Sequence, residues 1–139
     1  MGKLCGAVLV SLIAVAGLAG AAAAKDVSVL WSGQMRQIEV TAEKTYPITL
    51  RFKGVTGFSD YPELSCGGTW KRISQAPGGY SIYHETITRG REEHDGRGGC
   101  LDGIVVMSKK GNQIVLGWFA ALDGEPMLAS ATLRQQLSK

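Results

Sequence analysis

Apolar and polar residues alternate with a period of two along much of the chain. Ile48, Leu50 and Phe52 alternate with Thr49, Arg51 and Lys53, the pattern of a half-buried β-strand. Upstream, Ile38 and Val40 alternate with Gln37, Glu39 and Thr41, which predicts another short strand. Leu101 to Met107 is apolar at both parities through Leu101, Ile104, Val105, Val106 and Met107. Such a run suits a strand covered on both faces. Ile114 to Ala120 is similar, with Leu116 and Trp118 on one face and Val115 and Phe119 on the other.

The breaks between these runs read as hairpin turns. Lys109-Lys110-Gly111-Asn112 separates two of them, and Asp123-Gly124 is a favoured two-residue turn. Ala76-Pro77-Gly78-Gly79 divides Trp70–Ser74 from Tyr80–Thr88, and Gly96-Arg97-Gly98-Gly99 is a glycine-rich connection. Met127, Ala129, Ala131 and Leu133 alternate as a final strand, although Pro126 could also begin a helix. The strand to about Leu133, followed by a polar tail, is the preferred reading. The predicted fold class is all-β: a single antiparallel barrel or sandwich of about eight strands.

The N-terminal segment breaks this pattern. Met1 to Ala24 has one early lysine, Lys3, then an apolar run ending in four alanines. A basic start, an apolar middle and a small-residue end predict a secretory signal peptide over residues 1–24. A retained transmembrane anchor is the alternative, since about 20 apolar residues can span a bilayer. Cys5 precedes the apolar core, which argues against a lipoprotein. Cleavage after Ala24 leaves residues 25–139 as one secreted β-domain with no stable membrane span. The predicted location is the periplasm or the cell exterior.

Charge adds little to this picture. The chain has 15 basic and 12 acidic residues, and without Lys3 the excess is two. That balance gives no reason to expect nucleic acid. Two cysteines remain after signal removal, Cys66 and Cys100, and an even pair in a secreted chain is most simply a disulfide. It would close a loop of about 35 residues, worth about 4 kcal/mol in the chain-entropy model. A metal site would need further ligands, for which only His84 and His94 are at hand, and no CxxC or HExxH motif is present. No metal or cofactor site is predicted.

The most distinctive stretch is Tyr61-Pro62-Glu63-Leu64-Ser65-Cys66-Gly67-Gly68-Thr69-Trp70. It is followed by Tyr83, Glu85, Ile87 and Gly90, then by Cys100 and Gly103. The pattern resembles small secreted bacterial β-domains with a Tyr-Pro-x-Leu-x-Cys-Gly-Gly segment, a Glu-x-Ile-x-x-Gly segment and a second cysteine. The resemblance covers about Trp31 to Arg134. It implies that Cys66 and Cys100 pair, but it carries no assigned activity. The loop from His94 to Gly99 is longer and richer in glycine than the resemblance would suggest.

Gly67-Gly68 should let the strand kink or let a neighbour pack closely. Pro62 should sit at a strand start or edge. Trp70 shares parity with Cys66 and Gly68, so it reads as core, with a partly exposed ligand platform as the alternative. Glu85 shares parity with Tyr83 and Ile87, and a carboxylate facing inward is costly unless paired or hydrogen-bonded. Candidate partners are Arg72, Arg89, the Tyr61 hydroxyl and the Trp70 indole. Glu85 is then a buried anchor, or a polar group at the bottom of a binding cleft. His84 should face solvent, and His94-Asp95 is no dyad without a placed nucleophile. Neither Ser65 nor Ser81 lies in a nucleophile elbow. The charged loop Arg89 to Arg97 offers Arg89, Arg91 and Arg97 as partner contacts.

The candidate binding residues are therefore Trp70, Glu85, Arg89, Arg91 and Arg97, and no catalytic residue is predicted. The expected function is a non-enzymatic periplasmic or secreted binding module for an envelope protein or a small ligand. One concrete form is an inhibitor of a cell-envelope enzyme, or an immunity protein against one. A small hydrolase using Glu85 is the first alternative and needs a second carboxylate about 5–9 Å away. An envelope structural component is the other, and the outward Thr49, Arg51 and Lys53 argue against it.

Overall fold

A computed structural model describes residues 28–38, 43–91 and 99–137. The predicted signal peptide over residues 1–24 lies outside the described residues, as do Val40, His94, Asp95 and Arg97. The strands are β1 (Leu30–Ile38), β2 (Glu43–Lys53), β3 (Thr56–Tyr61), β4 (Cys66–Ala76), β5 (Tyr80–Arg89), β6 (Gly103–Lys110), β7 (Gln113–Leu122) and β8 (Glu125–Gln136). Each pairs antiparallel with the next, and β8 closes on β1, giving the expected all-β architecture as a closed eight-stranded barrel. Closure removes both sheet edges, which in an open sandwich would expose unpaired backbone.

Alternation sets what fills the barrel. Inward positions bury Trp31, Met35, Ile48, Leu50, Val105 and Leu133, among others. Outward positions on β2 expose Arg51 and Lys53. Several turns fall where the sequence placed them. Asp123 and Gly124 adopt φ of 52° and 84°, the backbone that a tight two-residue hairpin requires. Gly111-Asn112 forms the β6–β7 turn, while Lys109 and Lys110 belong to β6 rather than to the turn. The C-terminal segment is a strand, and it runs past Leu133 to Gln136.

Three expectations are corrected. The alternation of Ile38 with Gln37 would turn Ile38 inward, but Gln37 is 8% exposed and Ile38 61%. Gln37 can face in because the Tyr46 hydroxyl donates to its Oε1 at 2.9 Å, and a satisfied amide tolerates burial. The strand expected from Leu101 begins at Gly103 and is not covered on both faces. Its outward Ile104 and Val106 are half-buried, and the neighbouring Val115 and Phe119 are exposed. Pro62 opens a short 3-10 turn between β3 and β4 rather than a strand.

The connections divide between the two ends of the barrel. One end holds the turns β2–β3, β4–β5 and β6–β7. The other, the mouth, holds the β3–β4 turn, the long β5–β6 connection and the β7–β8 turn. A disulfide joins Cys66, at the start of β4, to Cys100, just before β6, with Cα atoms 6.3 Å apart. It fastens the long connection to the barrel wall.

Candidate functional site

Glu85 projects into the barrel from the middle of β5 and is 1% exposed. Its carboxylate accepts hydrogen bonds from four side chains on three other strands. From β3, Ser59 donates to Oε1 at 2.5 Å, and the Tyr61 hydroxyl spans both oxygens at 3.0 and 3.1 Å. From β4, the Trp70 indole donates to Oε1 at 2.8 Å. From β7, the Trp118 indole donates to Oε2 at 2.9 Å. All four donors are neutral. Burial is tolerable because both oxygens receive donors, not because the charge is cancelled.

Backbone shape makes this hub possible. Gly68 lies where a Cβ would come 2.4 Å from the Thr86 carbonyl oxygen, so β4 and β5 approach beside the hub only because that side chain is missing. At Gly103 a Cβ would sit 2.3 Å from Trp118 Nε1, so the indole lies across the start of β6. Gly103→Ala should therefore displace the Trp118 ring from Glu85 and cost about 1–3 kcal/mol, the usual range for overpacking. The Trp118 indole proton resonance and the urea midpoint would show it, and an unmoved resonance would refute the account.

The same hub shifts Tyr61. Burial, then the neighbouring Glu85 charge, then the hydrogen bond to it push the phenol well above its ordinary value. A raised folded value means that this contribution to stability is complete below the unfolded pKa of about 10 and is lost as pH rises beyond it. A spectrophotometric titration of the folded domain should show one phenol ionising later than free tyrosine, and only as the barrel unfolds.

Above Glu85 a cavity of about 290 Å³ opens at the mouth. Its walls include Met35, Tyr46, Tyr61, Ile87, Trp118 and Met127, with Gln37 and Lys44 near the rim. Among the described residues lining it, Glu85 is the sole carboxylate. Tyr46 and Tyr61 meet edge to face with centroids 6.0 Å apart, and Cys100 and Leu101 bring the β5–β6 connection to the wall.

The predicted residues thus separate into two groups. Glu85 is at the cavity floor, and Tyr61 and Trp70 are its partners as expected. Arg72 and Arg89 do not contact it among the described hydrogen bonds; Ser59 and Trp118 do. Trp70 is fully buried beneath the hub and outside the cavity lining, so it is core and not an exposed ligand platform. Arg89 and Arg91 lie outside the barrel and brace the stems of the long connection. Arg89 is ion-paired to Asp60 and donates to the Cys66 carbonyl at 3.2 Å. Arg91 donates to Asp102 at 2.6 Å and to the Ile87 carbonyl at 3.2 Å. The Ile87 amide also donates to Asp102, at 2.7 Å. Burial pushes the Asp102 carboxyl up, but the bonds from Arg91 and the Ile87 amide outweigh it and hold it below the ordinary value. His84 faces outward and is half-buried, 3.3 Å from the Thr86 hydroxyl.

Trp118 was within reach of the sequence, since its parity with Leu116 placed it on one face of β7. What the sequence could not supply was that the indole reaches over β6 at Gly103 to β5. Among the described residues no group of three or more His, Cys, Asp or Glu side chains comes together as a metal site would require. No described helix is long and apolar enough to cross a membrane.

No protein-family model matches the chain, and neither does any curated protein. Among solved structures it is similar to a tryptophan-to-alanine mutant of the vaccine antigen transferrin binding protein B from Haemophilus parasuis Hp5, with a TM-score of 0.53 and 10% identity. The match covers 82% of this chain and 27% of that one, so it spans about a quarter of the larger protein and establishes a shared barrel shape alone.

Proposed function

We propose that this chain is a non-enzymatic extracytoplasmic binding module whose recognition site is the cavity at the barrel mouth. One observation carries the reading: an open, aromatic-lined cavity rests on a carboxylate held rigid by four hydrogen-bond donors. Ligand sites are usually concave and apolar, with few polar groups in fixed positions. The barrel supplies a rigid wall, and the disulfide fixes the one long connection that borders the opening.

The sequence and the disulfide together support the compartment. A leader-like N-terminus and a paired Cys66–Cys100 suit the oxidising space outside the cytoplasm. The resemblance to small secreted bacterial β-domains belongs to the same proposal. The barrel match is to part of a protein named for binding transferrin, which supports binding as a use of this shape and transfers no ligand. Glu85 suits an anchor better than an acid catalyst, because four donors hold its carboxylate in place and, among the described residues, no second carboxylate lines the cavity.

A protein partner is the second reading, with an envelope enzyme to be inhibited or neutralised as its concrete form. It is favoured by the exposed guanidinium groups of Arg89 and Arg91, held by ion pairs beside the mouth. Amide spectra of the oxidised domain, recorded with small molecules extracted from bacterial envelopes, distinguish the two. The cavity reading expects shifts at Ile87, Leu101 and Met127 that vanish in Met127→Trp, which fills the opening. Shifts centred on Arg89 and Arg91, unchanged by Met127→Trp, would overturn it in favour of the outer surface.

A further inference from the structure

We infer that the mouth cavity takes a compact organic cation, an ammonium group on an apolar body, with its charge directed at Glu85. The inference rests on the cavity being the recognition site and names the ligand class that site would accept.

The charge of Glu85 is the first ground. It is carried at the cavity floor, and its donors Ser59, Tyr61, Trp70 and Trp118 are all neutral. Such donors spread the charge but leave a net negative potential in a medium of low dielectric constant. Among the described residues, Arg89 and Arg91 beside the mouth are turned outward to Asp60 and Asp102.

Donor capacity is the second ground. The hydroxyl and indole hydrogens that surround the floor already point at Glu85, and the Tyr46 hydroxyl donates to Gln37. An anionic ligand reaching the floor would find those hydrogens committed and a like charge behind them. A ligand that donates finds acceptors. Oε1 receives three donors, whereas Oε2 receives Trp118 and only a share of Tyr61.

The walls are the third ground. Tyr46, Tyr61 and Trp118 line the cavity over that carboxylate. Aromatic faces attract cations, and recognition sites for substituted ammonium groups are commonly built from them. Met35, Ile87, Leu101 and Met127 supply apolar surface for the remainder of the ligand.

The experiment titrates the oxidised domain with three probes of one shape: phenethylammonium, phenethyl alcohol and hydrocinnamate. The readouts are the Trp118 indole proton and the Met127 methyl resonance, with the Trp31 indole as control. Phenethylammonium should bind at least about tenfold tighter than the alcohol, a difference of about 1.4 kcal/mol, and hydrocinnamate should be weakest. Met127→Trp should abolish all three. Glu85→Gln, once an unshifted Trp31 resonance shows that it folds, should bring the cation and the alcohol to within about twofold. If Glu85→Gln does not fold, the wild-type series decides. Equal or tighter binding of the alcohol or hydrocinnamate overturns the cation inference and leaves the cavity reading intact. Failure of every probe to move Trp118 or Met127 overturns both.

Discussion

Glu85→Ala should cost the barrel about 4–5 kcal/mol, near the upper end for a single substitution. The side chain is the common acceptor for Ser59, Tyr61, Trp70 and Trp118, and all of these contacts are buried. Alanine removes every acceptor at once. Each orphaned buried donor costs about 1–3 kcal/mol, less wherever water from the adjoining cavity can reach it. Trp118 and Tyr61 line that cavity and would be rescued in part, whereas Trp70 is fully buried and would not. Glu85→Gln should cost only about 2 kcal/mol, because one oxygen still accepts while the amide nitrogen opposes an indole N–H. Urea unfolding would measure both. A loss below about 1 kcal/mol for alanine would mean that the hub is not a principal source of stability. Equal losses for the two variants would place the effect in the charge rather than in the acceptors.

How far the sequence foretold this hub depends on which neighbours are local. Period-two alternation made the inner face legible, and through it Glu85, Trp70 and Tyr61. These lie on strands that are consecutive in the chain, so parity and proximity point to the same grouping. Trp118 lies 33 residues away in sequence from Glu85, on β7, and reaches it over the intervening β6, where Gly103 leaves room for the indole. The outward pairing of Arg89 with Asp60 was missed for a related reason. The two residues flank Gly67 in register across β4, one on β5 and one on β3. Arg89 reaches Asp60 because Gly67 leaves a gap: a Cβ there would sit 2.9 Å from the guanidinium. A glycine read as a kink was also an opening for a side chain.

Local hydrophobicity misled at two places. Ile38 was the more apolar choice for the interior, yet Gln37 faces in, bonded to Tyr46. The runs on β6 and β7 were apolar at both parities, which suggested a covering layer. Instead Ile104, Phe119, Leu128 and Ile38 lie in register across β6, β7, β8 and β1, facing outward. Glu85 at the bottom of a cleft was one of the two sequence readings, but the rest of the mouth cavity was not legible, because it depends on which side chains stop short of filling the barrel end.

Replacing both Cys66 and Cys100 by alanine should lower stability by about 4 kcal/mol, from the entropy returned to an unfolded chain that loses a closed loop of about 35 residues. The sequence separation of 34 sets that loop length. The loss should not be uniform across the fold. Cys66 is fully buried at the start of β4, and Cys100 lines the mouth cavity. After the bond is removed, Arg91, Asp102 and the Ile87 amide still tie β5 to the approach of β6. Exposed ion pairs of this kind contribute at most about 1 kcal/mol each, so they should hold the stem weakly. Amide exchange at Ile87 and Leu101 should then rise by more than the global loss accounts for, while Val105 and Leu116, in the body of the barrel, should follow it. Reducing the native protein should reproduce the double variant in both respects. Unchanged exchange at Leu101 on reduction would show that the connection is held by its packing and not by the bond, and the cavity wall would keep its shape without it.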